Sequence, residues 1–343
     1  MPAEEGVVMS KINSDDVRRA WLAARLVPLW ESPSAHKPPQ PPQATHIWKW
    51  DVVRPLVELA LRETSPAAVE RRVLQYVCPE AQLPHEEHTV GSIAACVQAL
   101  LPGEMARPHR HTMNAIRFVL EGGDGAITTV DGKDCPMKVG DLVLTPAWSW
   151  HGHRHDGDQP TLWLDVLDVP LHNKLGTVKF QPPPMIDVPR TMSDDVFSVP
   201  NILPVENITD REYTPVFRYP YEGVLAALRH APQSSDGARR VRYVNPRTGR
   251  PAMALLDCQM MAVDKDTNTR PRRSNANMFC MVVEGEGESM IGDTTISWGP
   301  KDGFTIPQMN WSSHRALSDN VRIFTISDRD AWERLGLLEE VEG

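Results

Sequence analysis

Histidine is concentrated in one part of the 343-residue sequence. The motif PHRHT contains His109 and His111, and the later motif WSWHGH contains His151 and His153. Alternate side chains of a β-strand point to the same face, so His109 and His111 present two imidazoles together while Arg110 points away. Imidazole nitrogens bind transition metals, and three of them leave coordination positions open for other molecules. The spacing predicts a metal centre held by His109, His111 and His151.

Short β-strands are the elements that must position these histidines. After Thr89 the sequence consists of β-type runs such as SIAACVQALL, IRFVLEG, AITTV and DLVLTP, separated by Gly, Asp and Pro. This spacing predicts a small barrel or sandwich. If the strand of His151 lies beside the strand of His109 in such a barrel, the third imidazole reaches the same point as the other two.

A second β-rich block repeats the first in outline. FCMVVEGEGESMIG parallels IRFVLEGGDGAITTV, and GPKDGFTIPQMNWSSH parallels KVGDLVLTPAWSWHGH. This internal duplication predicts two similar barrels.

The second copy has lost the metal ligands. The three ligand positions are occupied by Arg272, Ser274 and Ser312, and His314 remains at the position that matches His153. We therefore expect one metal site per chain, with the second barrel serving as scaffold and subunit contact.

Helical patterns precede the first β-rich block. Helical spacing is present in the run from Asp15 to Trp30, in VVRPLVELALRE, and in SPAAVERRVLQYV, where Ser65 is placed to cap. The five prolines between residues 33 and 42 predict a stiff connector. We expect an N-terminal helical arm over residues 1–88, the first barrel over 89–172, a Pro-rich linker over 173–225, and the second barrel with a C-terminal tail over 226–343.

Charge and composition exclude several classes of protein. The net charge of −9 argues against binding to nucleic acid or anionic lipid. The five cysteines contain no CxxC pair, which argues against a disulfide framework or a zinc ribbon and favours a reducing compartment. No apolar run approaches the roughly eighteen residues of a bilayer span, and the acidic start MPAEEGVV is unlike a signal peptide. We expect a soluble cytoplasmic protein with no nucleic-acid or membrane partner.

The two histidine motifs resemble those of cupins. Ala115 stands where many cupins place a ligating glutamate, which leaves a site of three histidines. Beyond these motifs, LLPGEMARPHRHTMNAIRFVLEG, GDLVLTPAWSWHGH, WLDVLDVPL, YVNPRTGRPAM and the terminal LGL together resemble the gentisate and salicylate 1,2-dioxygenases, from Trp48 to Leu337. The resemblance implies a mainly β bicupin fold: two double-stranded β-helix (jelly-roll) barrels with an N-terminal helical region.

The resemblance also implies an activity. The similar enzymes are Fe(II)-dependent dioxygenases, commonly tetramers, that use O2 to open a small aromatic hydroxy acid between its carboxyl- and hydroxyl-bearing carbons. Gentisate and substituted salicylates are the expected substrates here. Three neutral imidazoles suit Fe(II) and leave room for a bidentate substrate and dioxygen. The alternative is a non-catalytic bicupin that binds or stores a ligand around a structural metal. Loss of the ligands from one barrel alone favours the enzyme.

Two residues near the ligands are candidates for substrate chemistry. Arg117 lies six residues after His111, which places it on the same strand face if the strand continues. Its guanidinium suits a substrate carboxylate, and the alternative is a salt bridge at the surface. His153 is expected to hydrogen-bond the substrate hydroxyl or take its proton, and the alternative is support of a metal ligand.

Three further positions follow from the resemblance. It implies that Gln98 lines the pocket and that Asp165 orients a ligand or His153. Cys96 stands where the family usually has glycine, so we expect its thiol to alter the pocket wall and the choice of ring substituent. The alternative for Cys96 is a small buried side chain that packs away from the pocket.

Overall fold

The computed structural model describes residues 14–28, 30, 43–81, 88–199, 202–206 and 213–343. The chain divides into two compact units, Met1–Pro42 and Gln43–Gly343. In the first unit, helix α1 (Ser14–Ala23) covers the first part of the run from Asp15 to Trp30 that the sequence predicts to be helical, and it ends at Ala23. The predicted connector over residues 33–42 lies outside the described residues. None of the described helices is long and apolar enough to cross a membrane.

The second unit begins with two strands and two helices, which are β1 (Ile47–Trp48), α2 (Trp50–Glu63), α3 (Pro66–Val69) and β2 (Val73–Tyr76). The prediction of a continuous helix through Val73–Tyr76 was wrong. The chain turns at Glu70, which takes φ 63°, and β2 then pairs with the edge of the next strand, at Ala95 to Gln98. Pairing with an existing sheet outweighs the local helical spacing.

The first barrel is built from eight consecutive strands: β3 (Ala94–Leu100), β4 (Met105–His111), β5 (Ala115–Glu121), β6 (Ala126–Val130), β7 (Lys133–Pro136), β8 (Leu142–Thr145), β9 (His151–His155) and β10 (Thr161–Leu167). The elements that follow it are α4 (Val169–Leu175), β11 (Phe180–Gln181), a 3₁₀ turn (Asp194–Phe197) and β12 (Arg218–Tyr219).

The second barrel has the same succession of elements. They are α5 (Tyr221–His230), β13 (Arg239–Arg242), β14 (Asp257–Val263), β15 (Arg272–Ser274), β16 (Met278–Glu284), β17 (Gly287–Ile291), β18 (Thr294–Trp298), β19 (Gly303–Ile306), β20 (Ser312–Ala316), β21 (Val321–Ser327), α6 (Arg329–Leu335) and β22 (Glu340–Glu342).

Each barrel consists of two antiparallel sheets with matching strand orders. The first has β12-β8-β5-β10-β3-β2 and β11-β4-β9-β6-β7, and the second has β1-β19-β16-β21-β14-β13 and β18-β17-β20-β15-β22. The mainly β bicupin fold expected from the sequence is therefore confirmed. The short strand that precedes each barrel, β1 or β12, joins the sheet of the other barrel. The residue boundaries predicted for the four regions of the chain stay predictions.

Apolar side chains of the two large sheets pack against each other between the barrels. Phe118 on β5 and Phe324 on β21 stack with ring centroids 4.2 Å apart and planes inclined by 14°. Leu164 on β10 belongs to the same buried core. Because side chains alternate along a strand, their neighbours Arg117 and Asp165 point to the opposite face, into the first barrel. Packing between the barrels thus fixes which side chains enter the interior.

Candidate active site

Three buried histidines meet inside the first barrel. His109 and His111 lie on β4 and His151 lies on β9, and the two strands pair with His109 opposite His151. One ligand nitrogen from each histidine lies within 4.8 Å of the other two. The predicted pairing of the two strands is confirmed. Within the described ranges, this is the one group of three side chains placed to share a metal ion.

Backbone carbonyls orient two of these imidazoles. His111 Nδ1 lies 2.9 Å from the carbonyl oxygen of Met113, and His151 Nδ1 lies 2.9 Å from that of Ser149. A carbonyl oxygen only accepts, so each Nδ1 carries the proton and each Nε2 keeps its lone pair. His151 Nε2 is buried and has no hydrogen-bond partner in the described chain. A buried acceptor without a partner fits a metal ligand.

Burial keeps the three imidazoles neutral. It lowers the pKa of His109 to about 2 and that of His111 to about 4, and it places the pKa of His151 well below the usual value. The positive charge of Arg117 lowers all three pKa values further. A histidine must be neutral to ligate a metal. Three neutral nitrogens fit a divalent transition metal such as iron.

Arg117 lies on β5 and not on the strand of His111. Strand β4 ends at His111 and β5 begins at Ala115, so the expectation of one continuous strand was wrong. The side chain of Arg117 is nevertheless inside the barrel and only 2% of the residue is exposed, which rules out a surface salt bridge. Its Nε lies 3.3 Å from Asp165 Oδ1, and its Nη1 donates a hydrogen bond to Thr145 Oγ1.

Cys96, Asp165 and Arg117 form one row across the large sheet of the first barrel. Asp165 on β10 lies opposite Cys96 on β3 and opposite Arg117 on β5. Residues in one row point to the same face, so Cys96 faces the barrel interior and not the core between the barrels. Gln98 lies on the same face, and its amide Nε2 is buried without a hydrogen-bond partner in the described chain. Burial raises the pKa of the Cys96 thiol, which therefore stays protonated.

His153 lies two residues along β9 from His151 and is also buried. Its Nδ1 is 2.9 Å from Thr128 Oγ1, and its ring centroid is 5.2 Å from that of Trp163. Burial lowers its pKa well below the usual value, so the ring is neutral. Its Nε2 is buried and makes no hydrogen bond to the described residues. This nitrogen is available to a bound molecule.

The side chain of Arg110 points away from the histidines, as the alternation along β4 predicts. Its guanidinium lies over the rings of Trp148 and Trp150, at 4.7 and 4.8 Å from their centroids. Cation–π contacts of this kind stabilise the outer side of β4. These two tryptophans therefore support the strand that carries the ligands, whereas the fully buried Trp163 contacts His153.

Two residues near the site were missed by the sequence analysis. Arg71 precedes β2, and its charge lowers the pKa of His109, His111 and His153. Phe180 on β11 has its ring centroid 4.9 Å from that of His109. Arg71 fell in a predicted helix and Phe180 in a predicted linker. One sequence signal could have found the first: RRVLQY and RRVRY occur in matching places before the two barrels, which indicates a strand.

Comparisons with known proteins identify the family. A cupin-domain model matches residues 96–167. Gentisate 1,2-dioxygenase 1 of Aquipseudomonas alcaligenes is 34% identical over 92% of each chain, and 1-hydroxy-2-naphthoate 1,2-dioxygenase of Nocardioides sp. (strain KP7) is 33% identical over 88% of this chain and 80% of its own. The crystal structure of salicylate 1,2-dioxygenase from Pseudoaminobacter salicylatoxidans with gentisate aligns with a TM-score of 0.87 at 27% identity, covering 98% of this chain and 96% of that one. The chain therefore belongs to the gentisate and salicylate 1,2-dioxygenases, and it is an aromatic ring-cleaving dioxygenase.

Proposed function

We propose that the protein is an Fe(II)-dependent enzyme that opens a 2-hydroxybenzoate-type acid with O2, between the carbons that bear the carboxyl and hydroxyl groups. The observation that carries the proposal is a triad of buried, neutral histidines whose nitrogens converge beside the buried Arg117. The relatives act on gentisate and 1-hydroxy-2-naphthoate, and the structural neighbour is a salicylate 1,2-dioxygenase. All three acids carry a carboxylate next to a ring hydroxyl.

His109, His111 and His151 are the residues that would hold the iron. A metal bound there would supply open positions for dioxygen and the substrate, so that both reactants would be held at one centre. The hydrogen bonds from Nδ1 of His111 and His151 to backbone carbonyls orient both rings, so that their Nε2 atoms face that centre.

Arg117 is proposed to bind the substrate carboxylate. A guanidinium donates two parallel hydrogen bonds to a carboxylate, and the low dielectric of a buried site strengthens this contact. Asp165, 3.3 Å away, orients the guanidinium and keeps its positive charge compensated before substrate enters. Arg71 adds a second positive charge near the site, and this charge acts on Arg117, His109 and His111. Together these charges favour an anionic substrate.

His153 and Gln98 are proposed to contact the polar substituents of the substrate. Each has a buried nitrogen without a partner in the described chain, His153 Nε2 and Gln98 Nε2. We infer that His153 accepts a hydrogen bond or a proton from the ring hydroxyl and that Gln98 donates to a substrate oxygen. A substrate that fills these positions would satisfy polar atoms that are otherwise unpaired.

Cys96 is proposed to select the ring substituent. Its side chain shares a row with Asp165 and Arg117, so it forms the wall beside the carboxylate site. We expect this wall to discriminate between gentisate and 5-substituted salicylates, including halogenated ones. A larger candidate substrate is 1-hydroxy-2-naphthoate.

Oxygen uptake is the test of the proposed function. Purified iron-loaded protein is incubated with gentisate, salicylate, 5-chlorosalicylate, 5-nitrosalicylate and 1-hydroxy-2-naphthoate in an oxygen electrode, and the products are identified by mass spectrometry. We expect uptake of one O2 per ring opened with at least one of these acids. Binding of the acids without oxygen uptake would support the storage or ligand-binding alternative.

We also propose that the protein is located in the cytoplasm. All five cysteines are buried and unpaired, which fits a reducing cytoplasm. Assembly into a tetramer stays a prediction from the family resemblance.

A further inference from the structure

The second barrel contains a cavity of about 340 Å³ where the first barrel has its histidines. Arg272 on β15 lies opposite Ser312 on β20, in the same way that His109 lies opposite His151 in the first barrel. Both side chains line the cavity, together with Ser274. The volume lies within the range of roughly 300 to 1,000 Å³ found for small-molecule sites. Loss of the ligand histidines has therefore left an internal space and not a filled core.

The wall of this cavity is rich in positive charge. Two acidic residues, Asp236 and Glu340, line the cavity, whereas the lining arginines are Arg240, Arg242, Arg272, Arg273 and Arg329. The guanidinium of Arg273 lies over the ring of Trp311, so the other four supply the positive charge. An excess of guanidinium groups around a partly enclosed space favours an anion.

Three of these arginines are held by close ion pairs. Arg240 makes two hydrogen bonds to the buried Asp236, at 2.8 and 2.6 Å. Arg242 lies 3.0 Å from Asp257, and Arg329 donates to Glu340. These guanidinium groups are therefore fixed by acidic residues of the same barrel.

Arg272 is held much more loosely. Its shortest ion pairs to described residues are 3.4 Å to Glu342 and 3.9 Å to Asp236, and its side chain is 35% exposed. Both carboxylate oxygens of Asp236 already accept hydrogen bonds from Nη1 and Nη2 of Arg240. The guanidinium of Arg272 therefore keeps donors available to a bound carboxylate.

His314 supplies a polar group to the cavity. It is 6% exposed, and its Nδ1 lies 2.8 Å from Ser289 Oγ. Ser289 Oγ accepts a hydrogen bond from Trp298 Nε1, and its own hydroxyl proton can be donated to His314 Nδ1. In that arrangement Nε2 of His314 carries the ring proton and can donate it to a ligand oxygen. The same contact occurs in the first barrel, where Thr128 meets His153. Apolar side chains of Met261, Met278 and Ile306 complete the wall.

We propose that the second barrel binds a small organic carboxylate. Arg272 holds the carboxylate, His314 Nε2 hydrogen-bonds it, and the apolar body of the ligand packs against Met261, Met278 and Ile306. Among the described residues the second barrel has no cluster of three metal ligands, so the site differs in chemistry from that of the first barrel. The second barrel is then a binding module as well as a scaffold.

The test is equilibrium dialysis of the full-length protein against radiolabelled benzoate, which carries a carboxylate and an apolar ring but has no hydroxyl with which to chelate a metal. We expect Arg272→Met to bind one benzoate fewer per chain than wild type, or to bind it at least tenfold more weakly. The matched control is Arg239→Met on the same strand as Arg240, because Arg239 pairs with Asp264 and does not line the cavity. Arg239→Met should bind as wild type does.

A second variant fills the cavity without changing charge. Ser312→Leu places an apolar side chain in the space, and we expect it to lose the same benzoate site. Equal binding by wild type, Arg272→Met and Ser312→Leu would overturn the proposal. If wild type binds a single benzoate and Arg272→Met binds none, the inference holds while the carboxylate pose proposed for the first barrel fails.

Discussion

Arg117 and Asp165 form a buried ion pair across two neighbouring strands, with Nε and Oδ1 3.3 Å apart. Burial lowers the pKa of Arg117 and raises that of Asp165, and each partner opposes the effect of burial on the other. A buried charge is tolerated when it is paired. The pair thus provides a guanidinium that is fixed in position inside the barrel before substrate arrives.

We predict that Arg117→Ala weakens transition-state stabilisation by about 2 to 5 kcal/mol, because the substrate carboxylate loses its buried partner. Iron content should stay the same as in wild type. The measurement is kcat/KM for the preferred acid, alongside metal analysis. The control is Arg154→Ala, because Arg154 lies on β9 next to His153 but pairs with Asp134 at the exposed surface. Near-native kcat/KM in Arg117→Ala would exclude the proposed substrate pose.

Metal content provides a second prediction. Wild type should bind one iron per chain, and His111→Ala should lose it, because the two remaining histidines form an incomplete site. The control is His314→Ala, which removes a buried histidine from the second barrel and should leave iron content unchanged. Iron and protein are quantified in the same samples by plasma mass spectrometry and amino-acid analysis. Two irons per chain, or a fully loaded His111→Ala protein, would contradict the ligand assignment.

Substrate choice should depend on Cys96. Cys96→Gly removes one side chain from the pocket wall, and a change of that size in a pocket is worth about 1 to 3 kcal/mol. We expect the ratio of kcat/KM between gentisate and 5-substituted salicylates to shift by roughly ten- to two-hundred-fold, with turnover retained. Cys280→Gly is the control, since Cys280 is a buried cysteine of the second barrel. Unchanged ratios in Cys96→Gly would remove this residue from the substrate site.

The free energy of unfolding should depend less on acid pH in Glu104→Gln than in wild type. Burial acts to raise the pKa of Glu104, but hydrogen bonds from Arg72 at 2.7 and 2.8 Å and from the Leu101 amide outweigh it and lower the pKa. A lowered folded-state pKa gives stability that is present above the ordinary value of 4.5 and is lost as the pH falls through the folded value. Glu104→Gln should therefore cost about 1 to 3 kcal/mol of unfolding free energy at pH 7.

Urea denaturation at a series of pH values checks this expectation. The difference in unfolding free energy between wild type and Glu104→Gln should shrink as the pH falls below 4.5. The control is Glu58→Gln, because the Glu58 side chain is 49% exposed and its pair with Arg54 is worth little. A difference that stays constant over the whole pH range would show that ionisation of Glu104 is not the cause.

The ligand set could be predicted from sequence because it depends on local rules. Alternation along a strand places His109 and His111 on one face, and a single strand pairing adds His151. Local rules were not sufficient to predict the position of Arg117. The chain turns at residues 112–114 after β4 ends, so Arg117 reaches the interior from a different sheet. Its placement depends on packing between the barrels, which no short motif encodes.

Long-range pairing accounts for the residues that the sequence analysis missed. Arg71 precedes a strand that forms only because the edge of β3 is available for pairing. Phe180 reaches His109 because β11 adds to the edge of β4, with Phe180 opposite His111. Edge strands such as these are specified by their partner strands and not by their own periodicity.

The exchange of β1 and β12 between the barrels bears on how the duplicated chain arose. Each repeat, from 47 to 181 and from 218 to 342, gives its first strand to the other repeat. Trp48 contacts Tyr76 and Tyr219 contacts Tyr243 at matching places, with ring centroids 5.2 and 5.7 Å apart. A single-barrel ancestor with this layout would have been a strand-swapped homodimer. Fusion of two genes into one would preserve that contact and release one copy from selection for metal binding.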